Sequence, residues 1–232
     1  MRIAAKQAVA VAALVMAVHV TARGQRNVSG TLTLEERVGA ERGDLRDAVV
    51  YLEARDRAIP VSDVPGMRSR VIAMRGREFR PHVAIVLAGG TVEFPNQDPF
   101  SHNVFSNVDL GQFDLGLYRR GTTRSATFPR AGVYPIYCNI HSMMVSFVVA
   151  VPTPWATQPD ASGRFTLRGV PAGRYVVHAW HEHGVREVTK EIVVPESGIE
   201  AMDLMIDART YVEAPHLNKF GRPYALIRDD RY

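Results

Sequence analysis

The run Tyr137-Cys138-Asn139-Ile140-His141-Ser142-Met143-Met144 places the chain's single cysteine three residues before a histidine and six before a methionine. A thiolate, an imidazole and a thioether on one short loop form a soft-metal donor set. Upstream, the segment from Phe94 to Phe105, which reads as a strand-like run, supplies a further histidine, His102, toward its end. Two imidazoles and one thiolate with a long methionine contact are the ligands of blue-copper electron-transfer centres. Zinc sites use Cys, His and carboxylate and rarely thioether. The methionine therefore argues for copper.

Each residue has a plainer reading. A lone cysteine is most often a small buried apolar group, and a methionine beside a strand most often fills a core. The conjunction favours ligation. A free cysteine in an exported chain has no disulfide partner, and this one has a histidine and a methionine at fixed short spacing.

The residues that would position this set raise a family. Asn96-x-Asp98 followed by His102-Asn103, then Gly132-x-Tyr134 and Tyr137-Cys138-x2-His141-x2-Met144, resembles the cupredoxins, the plastocyanin and azurin group, over Arg70 to Val151. Gly89 to Asn96 resembles the strand leading to the first ligand, and Ala131 to Tyr137 the strand leading to the cysteine. The resemblance implies equatorial ligands His102, Cys138 and His141 and an axial Met144. Cys-x2-His-x2-Met is the short-loop variant, similar to amicyanin. Met143 competes with Met144, but Met144 directly precedes the strand Val145 to Val151, as the family's axial methionine does. The family also implies that Asn103 supports the cysteine sulfur through its backbone, and that His141 is the exit for electrons.

Gly and Pro punctuate the chain every ten or so residues between short alternating strands such as Val83 to Leu87, Ser146 to Val151 and Tyr175 to Ala179. No long amphipathic helix is encoded, so the expected fold class is all-β. A second unit follows the copper region. Asp160-x-x-Gly163-x-Phe165-x-Leu167 and Val170-Pro171-x-Gly173-x-Tyr175-x-Val177 resemble the carboxypeptidase regulatory-like domain, a transthyretin-like β-sandwich without peptidase chemistry. That family's opening strands are absent just before Asp160, and Val28 to Leu34 and Asp47 to Glu53 look like them. The expected layout is therefore a signal peptide (1–22), a discontinuous sandwich (28–54 and 159–207), a copper domain (70–151) inserted between the crossings Arg55 to Arg68 and Pro152 to Pro159, and a tail (208–232). Two domains in simple succession, with 28–54 added to the copper domain, is the simpler arrangement. A strand contact between Thr31 and the 185–206 region separates the two.

Arg2 and Lys6 ahead of apolar Ala8 to Val20, with small residues at Val20-Thr21-Ala22, read as a signal peptide and place the chain in the periplasm or outside the cell. The apolar stretch is short for a span, which needs about 20 residues; no membrane span is expected after cleavage. Of 28 Lys and Arg, cleavage removes Arg2 and Lys6, leaving 26 against 24 acidic residues and a net charge of +2. No basic face with interleaved aromatics indicates nucleic acid. Local bunching such as Arg119-Arg120, Arg68-Ser69-Arg70 and Arg222 to Arg231 reads first as solvated surface, and only second as a dock for an acidic redox partner.

His178, His181 and His183 invite a second metal, as in a copper enzyme. On a continuing strand His181 and His183 face one side and His178 the other, so these histidines read as an exposed turn and not as a site. His82 heads a strand and His216 lies in the tail. The expectation is a one-electron carrier, not an enzyme, holding one type 1 copper that cycles between Cu(I) and Cu(II). Its partner would be a periplasmic redox protein such as a c-type cytochrome or a dehydrogenase. Copper sequestration or delivery is the alternative.

Overall fold

The computed structural model describes residues 26–40, 42–56 and 66–224. The expected signal peptide, much of the first crossing and the end of the tail lie outside them. The chain is all-β. Its strands are β1 (Val28–Glu36), β2 (Val49–Ala54), β3 (Ser69–Val71), β4 (Ala73–Met74), β5 (Phe79–Arg80) and β6 (Val83–Leu87). Then come β7 (Gly90–Pro95), β8 (His102–Ser106), β9 (Phe113–Tyr118), β10 (Thr123–Phe128), β11 (Gly132–Tyr137) and β12 (Val145–Val151). The C-terminal strands are β13 (Ala156–Thr157), β14 (Arg164–Leu167), β15 (Gly173–Trp180), β16 (Val188–Val194) and β17 (Ile199–Ala208). Among the described residues the one helical element is the 3-10 turn Leu45–Asp47, capped by the Asp44 side chain.

β1 and β2 do not pair with the strands that follow them. β1 lies between β14 and β17, with Thr31 opposite Asp203. β2 lies between β13 and β15, with β16 outside. These two sheets enclose one core, built from Leu32, Val50, Leu52, Phe165, Val177, Leu204 and Ile206. Gly30 sits where the β1–β17 register shifts, and an added Cβ would come 2.0 Å from the Met202 carbonyl oxygen. Only glycine allows the two backbones to approach so closely.

β3 to β12 form a second sandwich. The sheet β6-β12-β11-β8-β9 faces the sheet β10-β7-β3, and the hairpin β4–β5 closes one side. Phe94, Val104, Phe128, Tyr134, Ile136 and Val148 fill its core together with Cys138 and Met144. The chain enters and leaves this sandwich side by side: the Leu87 amide donates to the Met67 carbonyl at 2.7 Å, and the Ala88 amide to Val151 at 2.9 Å.

The run Val83 to Leu87, expected as a strand, is one, and it is buried throughout. Ala84 and Val86 point into the core of this second sandwich. Val83, Ile85 and Leu87 pack with Val49, Tyr51, Val149 and Val151 into a separate apolar layer between the sandwiches. A continuous apolar run is the signature of a strand covered on both faces. His82 Nε2 meets Glu182 Oε1 at 2.5 Å across the same junction, and Phe147 packs on Trp180 at 5.2 Å.

Candidate metal centre

His102, Cys138 and His141 converge. Their donor atoms all lie within 4.8 Å of one another, and among the described residues they are the only such group of three or more His, Cys, Asp or Glu. Cys138 Sγ stands 3.8 Å from His102 Nδ1 and 3.6 Å from His141 Nδ1. The 138–144 loop that presents Cys138 and His141 is pinned at its neck. Cys138 N–H donates to the Met144 carbonyl at 3.2 Å, and Met144 N–H to His141 at 3.1 Å. These bonds turn Met144 inward, at 1 % exposure, and Met143 outward, at 73 %.

His102 opens β8; it does not end the preceding strand, which stops at Pro95. The intervening coil brings Asp98 beneath it. Asp98 Oδ2 bonds His102 Nε2 at 2.8 Å, and the Asp98 carboxylate also accepts the Gly76 and Arg77 amides at 2.6 and 2.9 Å. Burial, the largest effect on Asp98, favours its neutral form, but the two amides and the imidazole win and hold its pKa below the ordinary value. An ionised Asp98 assigns the His102 proton to Nε2 and leaves the Nδ1 lone pair facing the sulfur. The Asn-x-Asp motif contained Asp98, but its role was not read from the sequence.

Cys138 is fully buried. Burial pushes its thiol pKa up, while the amides of Asn103, Ile140 and His141 pull it down. The β8–β9 register shifts between Asn103 and Phe105, beside the Asn103 amide that faces the sulfur. Asn103 Nδ2 donates to Asp114 Oδ1 at 2.6 Å. A coordinating ion deprotonates such a thiol outright.

His141 has no carboxylate partner among the described residues. Its pKa is pushed down to about 4, first by burial and then by the charges of His102 and Arg77. Its ring packs at 4.9 Å from His102 and 5.6 Å from Phe100, with the Arg77 guanidinium 5.3 Å over Phe100. His141 is half-buried, so one edge of the cluster reaches solvent.

The tail, to which the sequence lent no role, lies along the ligand loop. Tyr224 Oη donates to the Cys138 carbonyl at 2.5 Å, and Lys219 N–H to Asn139 Oδ1 at 2.9 Å. Lys219 Nζ pairs with Asp114 Oδ2 at 2.6 Å, and His216 stacks on Tyr137 at 4.3 Å. No local pattern in the sequence signalled these contacts.

His178 lies within β15, and the turn that follows it is not an exposed one: His181 is 2 % exposed. His181 Nε2 meets the Asp44 carbonyl at 3.2 Å and its Nδ1 accepts the His183 amide at 3.0 Å. His183 Nδ1 faces Glu36 at 3.4 Å and its ring stacks on Tyr211. His178 sits apart, between Glu53 at 3.2 Å and Glu187 at 3.1 Å, stacked on Tyr51.

No family model matches the chain, and no curated protein matches it. Solved structures do. The copper-containing nitrite reductase NirK of Thermus scotoductus SA-01 is similar at 27 % identity and a TM-score of 0.33, over 35 % of this chain and 22 % of that one. This chain thus spans about a fifth of that enzyme's length. The purple cupredoxin of Nitrosopumilus maritimus matches at 24 % identity and a TM-score of 0.32, over 35 % of this chain and 98 % of its own. Amicyanin of Paracoccus versutus matches at 23 % identity and a TM-score of 0.34, over 44 % of this chain and 98 % of its own. Each of these likenesses covers less than half of this chain.

Proposed function

We propose that the chain is an exported type 1 copper protein that carries single electrons between periplasmic redox partners, with His102, Cys138 and His141 as equatorial ligands and Met144 as the axial one. One observation carries the reading: a fully buried thiol faced at 3.6 and 3.8 Å by two imidazole nitrogens whose hydrogen-bonding neighbour, among the described residues, is the cysteine sulfur itself. The donor set fits copper, because thiolate and neutral imidazole suit both of its oxidation states. Copper bound there would supply a reversible one-electron couple. The chain's own part is to hold the donors still. Asp98 fixes the His102 ring, backbone amides support the sulfur, and the neck bonds of the loop fix His141 relative to Cys138. Small rearrangement is what electron transfer needs. The exposed edge of His141 is the exit. The β1/β2/β13–β17 sandwich is read as the carboxypeptidase regulatory-like domain, discontinuous in sequence, a reading supported by Thr31 opposite Asp203.

The test is optical. Cu(II) added to the mature chain is expected to give an intense visible thiolate charge-transfer band, and Cys138→Ser to abolish it. A band of unchanged strength in the serine variant sinks the assignment. Tight Cu(I) retention without reversible voltammetry would replace the carrier by a storage or delivery protein.

A further inference from the structure

Three loops meet at the end of the copper-side sandwich where His141 reaches solvent. The 96–98 segment that carries Asp98 is tied to the β4–β5 turn by Gln97 N–H to the Met74 carbonyl at 3.0 Å and by the Gly76 and Arg77 amides on Asp98. It is tied to the β9–β10 turn by Gly121 N–H to Asn96 at 2.8 Å and Asn96 N–H to Thr122 at 3.0 Å. The first turn exposes Arg75 and Arg77, the second Arg119 and Arg120. Acidic groups do not balance them. Across 75–78, 96–101, 119–122 and 138–144 the acids are Glu78 and Asp98 alone. Glu78 pairs with Arg80 at 2.6 Å, and Asp98 is buried under His102. The ligand loop has no charged residue and offers Met143, 73 % exposed, beside His141.

We infer that Arg75, Arg77, Arg119 and Arg120 form a cationic docking rim around the His141 edge, fitted to a redox protein that presents carboxylates around its own electron port. The inference rests on the carrier reading for its purpose, but the rim stands on charge and placement alone. Opposite charge across an interface steers encounter and orientation more than it adds affinity, which suits a carrier that must leave after each transfer. The rim is fixed by backbone bonds to the segment that anchors His102. Whatever docks on it therefore faces the metal edge.

The test uses a surface in place of the partner. Metal-free mature chain is passed over carboxylate- and amine-terminated monolayers, and adsorption is weighed at low and high salt. Adsorption is expected on carboxylate alone and is expected to fall about tenfold or more between ~0.01 and ~0.5 M salt as the Debye length shrinks. Arg75→Glu/Arg119→Glu/Arg120→Glu should abolish it; if that triple variant does not fold, Arg119→Gln/Arg120→Gln should still weaken it severalfold. Equal adsorption on both surfaces, or adsorption untouched in the variants, overturns the rim. Copper-loaded chain on the same electrodes gives the second readout: a reversible wave on carboxylate that the variants lose supports the rim. A comparable wave on both surfaces overturns it. Salt-sensitive adsorption with no wave and no visible band leaves the rim standing and sinks the copper carrier. Co-sedimentation of the chain with phosphatidylglycerol vesicles at ~0.1 M salt, lost in the triple variant, would replace the protein partner by a lipid surface.

Discussion

Among the described residues two regions are rich in histidine, and only one brings its donor atoms close enough together to hold a metal. In the turn after β15, His181 has both ring nitrogens occupied by backbone groups, and within β15 His178 lies between two carboxylates. At the end of the β3–β12 sandwich, Asp98 takes one nitrogen of His102 and leaves the other facing Cys138, as His141 leaves its Nδ1. Histidine density does not make a site. Open lone pairs converging on a thiol do.

The hardest way to break this contrast is to remove one histidine from each side. His102→Ala is expected to reduce bound copper from one equivalent per chain to none after chelator washing. A His181→Ala/His183→Ala double variant should keep one equivalent, by metal analysis. A second equivalent in the wild type that this double variant loses, with nitrite or oxygen turnover, would make the protein a copper enzyme.

Next in size is the support under His102. Asp98→Asn leaves the shape but removes the charge that fixes the ring, and such outer partners are worth about 10–100-fold in metal affinity. Competition with a chromophoric chelator measures it, and an unchanged affinity would mean that the open nitrogen of His102 does not depend on Asp98. Smaller again is the axial contact. Met144→Gln is expected to lower the potential, because a harder oxygen favours Cu(II). Met143→Gln should barely move it. A larger shift for Met143 in voltammetry reverses the two.

The regions should also differ in the sign of their pH response in the metal-free chain. His141 has a pKa near 4 against an ordinary 6.5, so between these values the unfolded chain binds more protons and stability falls as pH falls. His178 has a raised pKa: burial, the largest effect, opposes its charge, but Glu187 and Glu53 outweigh it. Its contribution is present below 6.5 and lost as pH rises through the folded value. Denaturant melts across pH should show His141→Gln flattening the acid side and His178→Gln the alkaline side. Identical profiles would contradict the contrast. The smallest expected effect is that of Tyr224→Phe, which removes one hydrogen bond to the Cys138 carbonyl, a net loss of about 1 kcal/mol. It should speed copper transfer to a chelator severalfold without shifting the visible band much.

The ligand loop was legible in the sequence because its donors lie within seven residues, so spacing alone fixes which can meet. The all-β class was legible from alternation and turn residues, and Val145 to Val151 coincides with β12. Asp98 was harder, since a carboxylate four residues before a histidine meets it only if the coil between them folds back. The tail contacts to Asn139 and the Cys138 carbonyl span 80 and 86 residues, and Tyr224 and His216 sit in no repeating pattern. That Val83 to Leu87 is a strand was legible, but not that both of its faces are covered, because the sequence of one strand cannot say what packs on its second face. His181 looked exposed for the same reason: the residues that bury it, around Asp44 and Gly43, come from the far end of the sequence.

The side-by-side passage of the chain at Leu87 and Ala88 sets an order of assembly. β1 leaves synthesis first, yet its parallel neighbour lies 171 residues away between Thr33 and Leu204. Closing so long a flexible loop is costly and slow, and an unpaired strand invites aggregation in the meantime. Once β3 to β12 have folded, Met67 and Val151 are held beside one another, and everything between them behaves as a short link. The loop that β1 must close then contracts to the remaining segments. The β3–β12 sandwich thus acts as a staple that lets the other sandwich find its first strands, and damage to its interior would be felt as misfolding of residues outside it.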